Sequence, residues 1–251
     1  MMRLKKIVRS TAWVLVLVAT VAFVEFRRGK RVCRQLIVQI EQTDEHRFIE
    51  QDDIRLLVTQ QQMGPLEGTR LQNIDLKMLE KNVATNNYVQ HVDIFHDLMG
   101  NVFVQARQNR PIARILQPRA ADVYLGADGR LLPLSERFTA RVTLISGEYM
   151  PTLLNTNVAE DSVGAQVLAL VRYIEQDDFW QAQIAQIDMN QQGNITLYPQ
   201  VGKQRIDFGK ADHLSEKFDK LAVFYDQILP RRGWNHYEQV SLKYENQIVC
   251  H

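Results

Sequence analysis

The chain predicts an α+β protein on a membrane tether: a single N-terminal transmembrane helix, a small β-α-α-β-β domain, and a mixed β-sheet domain with packed helices. Three observations predict it. Residues 10–24 (STAWVLVLVATVAFV) form an uncharged apolar run bracketed by basic residues. Some 75 residues after it follow the order strand, helix, helix, strand, strand. Beyond Pro111, short strands alternate with two long amphipathic helices, and 251 residues suffice for about two small domains.

The apolar run is 15 residues without a charge, and residues 7–26 make 20 if Arg9 and Glu25 sit at the interfaces. About 20 residues cross a bilayer, and a flanking Arg can snorkel. Thr20, Val21 and Ala22 loosely suit a signal-peptide cleavage site. Arg27-Arg28-Gly29-Lys30-Arg31 straight after the run is instead a stop-transfer pattern, which favours an uncleaved helix over residues 11–27 behind a short tail, 1–10. Cys33 follows basic residues, so lipoprotein processing is not expected. Four Lys or Arg precede the run and four follow it, so charge alone leaves the orientation open.

The formal charge of +1 hides an asymmetry. Residues 1–31 carry +7 and the remaining 220 carry −6. A body of that sign lacks the clustered cations that phosphate contacts need, which excludes a nucleic-acid partner. Cys33 and Cys250 lie at opposite ends of the body, so a bridge between them needs the two ends to meet; two free thiols is the favoured reading, with no Cys/His spacing for zinc.

In the small domain, residues 35–40 (QLIVQI) read as a strand. Residues 48–62 place Ile54, Leu57 and Val58 at helical spacing, stopped by Met63-Gly64-Pro65. Asp75 can cap a second helix whose Leu76, Leu79 and Val83 share a face. Residues 88–96 and 102–108 form a hairpin around residues 97–101, with Val92 and Ile94 facing the core.

Pro111 and Pro118 mark a junction or an edge. Residues 123–125 and 131–132 flank the turn Gly126-Ala127-Asp128-Gly129, and residues 140–145 are another strand. Residues 161–176 predict a helix with Val163, Val167, Leu170, Val171 and Ile174 on its stripe. Strands at 183–188, 195–198 and 204–208 come next. A strong helix then carries Leu214, Phe218, Leu221, Tyr225 and Ile228, capped by Asp212 and ended by Pro230. The last strand or strands run over residues 239–249.

Chemistry is hard to find in this pattern. Phosphate-binding glycine loops, HExxH and GxSxG are absent. His91 and His96 are five apart on a strand and point to opposite faces, so they do not read as a metal pair. Asp52-Asp53 and Asp177-Asp178 are better explained as helix-start charges than as paired acids. Trp180 and Trp234 read as core aromatics. No converging catalytic set appears, and no cofactor or metal is expected.

Four segments, in order, carry a family resemblance. The hairpin of residues 89–108 runs into Arg110-Pro111-Ile112-Ala113. Residues 123–133 (VYLGADGRLLP) are followed by a strand ending in Ser146-Gly147. Residues 202–225 (GKQRIDFGKADHLSEKFDKLAVFY) enter a helix, and Leu242-Lys243-Tyr244 closes the chain. Together they resemble the FtsQ/DivIB cell-division proteins over about 220 residues. The resemblance implies a POTRA-like domain at 33–110 and a β domain at 111–251 ending in a partner-binding strand. It implies a non-enzymatic divisome scaffold in the cell inner membrane, N-terminus cytoplasmic and body periplasmic, at the septum. It also implies binding of FtsB/FtsL-type proteins and a hand in controlling septal peptidoglycan synthesis, with other division proteins meeting the POTRA-like domain. The alternative is a POTRA-containing component of a membrane protein export or assembly system, but the chain holds too few further strands for a barrel. Two departures stand out: the tail is very short, and the last hairpin has Glu245-Asn246-Gln247 where the family has Gly, so Asn246 would take positive φ.

The resemblance places partner binding at Lys243, Tyr244, Asn246, Gln247, Ile248 and Val249, by strand addition to an open sheet edge. The alternation there puts Val240, Leu242 and Tyr244 on the inner face, against the helix of Phe218 and Leu221. Lys243 faces out; the residues alone read it as a solubilising edge charge and Tyr244 as core, whereas the resemblance makes Lys243 available to a partner carboxylate.

Overall fold

The computed structural model describes residues 13, 15–20, 31–41, 48–60, 64–155 and 158–251. The tail 1–10 and most of the expected membrane segment lie outside them. Trp13 and residues 15–20 are helical, and among the described residues no helix is long and apolar enough to cross a membrane. The rest divides into two compact units, which part between Gln108 and Asn109, with Phe48 counted in the second.

In the first unit, β1 (Gln35–Glu41) precedes α1 (Gln51–Thr59), a 3-10 turn (Leu71–Asn73), α2 (Leu76–Val83), β2 (Val89–His96) and β3 (Asn101–Gln108). The sheet order is β1-β3-β2, with β1 parallel and β2 antiparallel to β3. Strict alternation turns Leu36, Val38, Val92, Ile94, Val102, Val104 and Ala106 toward the helices, and all seven are buried. Ile54, Val58, Leu79 and Val83 cover them from the helix layer, while Leu57 and Leu76 are half-buried flanks. Helix α1 is shorter than its periodicity suggests. The Glu50 amide donates to Asp53 at 2.9 Å, and this capping box starts the helix at Gln51, leaving Ile49 buried outside it. Asp75 accepts from the Met78 amide at 3.0 Å and caps α2.

The second unit runs β4 (Pro111–Ile115), β5 (Val123–Gly126), β6 (Leu131–Pro133), β7 (Thr143–Gly147), α3 (Met150–Leu154), α4 (Ser162–Glu175), α5 (Asp178–Gln183), β8 (Ile184–Met189), β9 (Ile195–Pro199) and β10 (Arg205–Gly209). It closes with α6 (Leu214–Val223), a π turn (Phe224–Ile228), α7 (Leu229–Arg232), β11 (Gln239–Ser241) and β12 (Val249–Cys250). One mixed sheet orders them β12-β11-β10-β9-β8-β7-β4-β5-β6. Helices α4 and α6 pack on one face, where Val167, Val171, Ile187, Leu197, Phe218 and Leu221 form the core. Free cysteines are Cys33 in the first unit and Cys250 in the second.

Several expectations need correction here. Pro111 does mark the junction, two residues past the division of the units, but not an edge: it is the first residue of β4, an unexpected strand that lies between β7 and β5. Starting a strand is a position that spares proline a ladder donor. Strand β7 starts three residues later than residue 140, and the short helices α3 and α5 escaped the periodicity because five or six residues give too little pattern. Asp212 does not cap α6. The N-cap is His213, in the left-handed conformation at φ 47, and Asp212 pairs instead with Lys217 Nζ at 2.5 Å. Pro230 does not end the helix either. The Leu229 amide reaches back five residues to the Phe224 carbonyl, so a π turn absorbs the proline and the helix runs on to Arg232.

Candidate functional site

The candidate site is the end of the large sheet at β12. Strand β10 holds β11 in parallel register, Ile206 beside Val240 and Asp207 beside Ser241. The chain then turns and returns antiparallel as β12, with Val240 opposite Cys250 and Ser241 opposite Val249. The turn needs positive φ, and Asn246 supplies it at φ 56 where glycine would be usual. Two groups fix the loop from behind: the Leu242 amide donates to the Asp207 carbonyl at 3.0 Å, and Lys220 Nζ donates to the carbonyls of Leu242 at 3.2 Å and Tyr244 at 2.9 Å.

The ladder determines what the edge offers. The His251 amide donates to Gln239 at 2.9 Å, and the Gln239 amide donates to His251 at 3.2 Å. In an antiparallel pair the intervening residue turns its backbone the other way, so Cys250 directs its N–H and C=O outward. Among the described residues no strand pairs with that side of β12. Burial pushes the Cys250 thiol up from its ordinary pKa, which keeps it protonated and weakly nucleophilic.

The proposed partner-binding residues are brought to one corner. Lys243, Tyr244, Asn246 and Gln247 are exposed in the turn, and Ile248 and Val249 are half-buried as the chain enters β12. Val240 and Leu242 are buried against the core that includes Phe218 and Leu221. Tyr244 is not: it stands 51% exposed, because the chain leaves the strand after Ser241 and the turn swings its ring outward. Lys243 is also not the unpaired cation that alternation suggests. Its Nζ lies 2.7 Å from Asp207 Oδ2 across the outer face of the sheet. The alternation of Arg205-Ile206-Asp207-Phe208 already directs Asp207 outward. Its pairing with Lys243 needs the parallel β10–β11 register, which no local pattern encodes. The pair borders a polar hollow of about 270 Å³ lined also by Asp188, Tyr198, Arg205 and Gln239.

The remaining candidates fall into structural roles. Asp177 accepts from the amides of Phe179 and Trp180 and caps α5. His91 Nε2 lies 3.0 Å from Asp93 on the exposed sheet face. Trp180 is core, against Phe218 and Tyr225, whereas Trp234 is 45% exposed.

Residues 110–251 match the family model described as FtsQ/DivIB, C-terminal related, and residues 31–107 match that of the POTRA-like domain. Over 193 residues the chain is 23% identical to a cell division protein FtsQ of Geotalea daltonii, covering 74% of this chain and 66% of that protein.

Proposed function

The chain belongs to the FtsQ/DivIB family, which implies a role in cell division, and from that premise we propose that it is a non-enzymatic scaffold of the division machinery. An inner-membrane anchor within residues 7–26 holds the body in the periplasm at the septum. FtsB/FtsL-type partners add a strand along β12, and the POTRA-like unit meets other division proteins. Through these contacts the protein helps control septal peptidoglycan synthesis.

The observation that carries the proposal is the outward backbone of Cys250 on an edge strand, flanked by exposed Lys243, Tyr244, Asn246 and Gln247. A partner strand gains backbone hydrogen bonds there, and the turn side chains select it. Cys250→Pro tests this directly, since it removes an amide that the fold itself does not use and edge strands tolerate proline. Capture of the FtsB/FtsL pair should fall about tenfold, or about 1.4 kcal/mol, with the thermal transition little changed. Unchanged capture by a folded Cys250→Pro protein overturns strand addition at β12.

A further inference from the structure

We propose that the β2–β3 hairpin tip of the first unit dips into the lipid surface, so that this unit stands on the membrane with the tip end down. The proposal rests on the anchor reading above. Leu98 and Met99 at the tip are 80% and 72% exposed, more than any other large apolar residue described. Loop tips are ordinarily polar, so two adjacent bare aliphatics call for a cover. They are held in place, too. Asp97 accepts from the amides of Met99 and Asn101, both at 2.8 Å, and from Asn101 Nδ2 at 2.7 Å.

The occupant follows from what adjoins the tip. The Arg34 amide donates to the Gly100 carbonyl at 2.9 Å, so the chain enters β1 beside the hairpin end. Val32, 42% exposed and bridged to Arg70, follows the apolar run 10–24 by only eight residues. Eight residues reach at most ~28 Å, so an anchored chain keeps the tip near the bilayer. Arg31, Arg34 and Arg70 surround this end, against Asp97 and Glu67, which suits an anionic headgroup layer.

The outer face of the sheet is graded along the same direction. Behind the polar pair Gln35 and Asn101, which adjoins the turn, Ile37, Phe103 and Phe95 lie in register in one row, with Phe95 and Phe103 stacked at 5.3 Å. The next row away from the tip is Gln39, Gln105 and Asp93, and the one beyond is Glu41, Arg107 and His91. Phe95 stands three residues from Leu98, about 10 Å along a strand, which matches the depth to which interfacial segments bury apolar groups, about 5–10 Å. On this face the aromatic row thus lies nearer the tip than the rows that carry Asp93, Glu41 and Arg107.

The full chain, reconstituted in vesicles of phosphatidylcholine and phosphatidylglycerol, provides the test. In a Cys33→Ala, Cys250→Ala background, Leu98→Cys and Leu56→Cys each carry one environment-sensitive fluorophore; Leu56 is 56% exposed on α1. The label at 98 should shift to the blue and be quenched several-fold more by lipid-borne nitroxides than the label at 56. Two water-like labels on a chain that resists carbonate extraction overturn the tip proposal while leaving the anchor intact. A chain extracted by carbonate overturns the anchor and the tip proposal with it. A label at 98 shielded in native membranes yet water-like in pure lipid overturns the lipid assignment and gives the tip to a protein partner.

Discussion

Gly147 shows how far a single residue can be constrained. It ends β7 at φ 114, and a Cβ there would stand 2.1 Å from the Met189 carbonyl oxygen and 2.6 Å from its nitrogen. Both are backbone atoms of the neighbouring strand, so nothing can yield. Gly147→Ala should destabilise by more than about 3 kcal/mol, measured by urea unfolding, through strain and strand separation together. Lys243 presents a different case. Because it already pairs with Asp207, Lys243→Glu places like charges together and should weaken partner capture by displacing the turn. The double exchange Lys243→Asp with Asp207→Lys restores the pair in reverse, and recovery of capture would mean that Lys243 positions the turn; no recovery would assign it a partner carboxylate. Asp128 tells where acid acts. Its partial burial favours the neutral form, but the Arg130 amide and the side chains of Asn109 and Arg130 outweigh that and hold its pKa below the ordinary range. A depressed folded pKa gives stability that is fully present above the unfolded value and lost as pH falls through the folded one. The loss therefore sets in below about pH 4. Asp128→Asn should flatten that acid limb in urea midpoints taken at successive pH values.

At the scale of elements, long or strictly alternating segments were legible and short or non-local ones were not. Helices α4 and α6 showed their stripes, and the β5–β6 turn showed its Gly-Ala-Asp-Gly. Strand β4 was hidden because proline reads as a break, although at a strand's first position it removes no ladder donor. Helix α6 reads through Pro230 because a π turn shifts the hydrogen-bond frame, a tertiary accommodation invisible in periodicity. The candidate site divides in the same way. Asn246 was legible because a tight turn without glycine needs a residue that tolerates positive φ. The outward Tyr244 and the Asp207–Lys243 pair were not, because both depend on where β11 stops and on which strand lies beside it. Helix α2 supplies the test at this scale. Leu79 is 1% exposed, and Leu79→Asp exchanges its burial for a buried charge. More than about 4 kcal/mol should be lost. Since each unit has its own core, calorimetry should show the first unit's transition collapse while the second unit's survives. Septal localisation should fall with it.

For the molecule as a whole, the parallel pairing of β1 with β3 has a mechanical consequence. The chain enters β1 at Gln35, next to Asn101, and leaves the first unit at Gln108, at the opposite end of the adjacent strand. Tension between those two points runs along the strands, so seven registered pairs from Gln35–Asn101 to Glu41–Arg107 are loaded together in shear. A hairpin pulled from its open end would instead yield one pair at a time. Forced unfolding is governed by the rate of crossing the unfolding barrier, and shear loading concentrates that barrier in one concerted rupture. The first unit is therefore built as a clamp in series with whatever holds the N-terminus, able to carry a pull to the second unit without paying out chain.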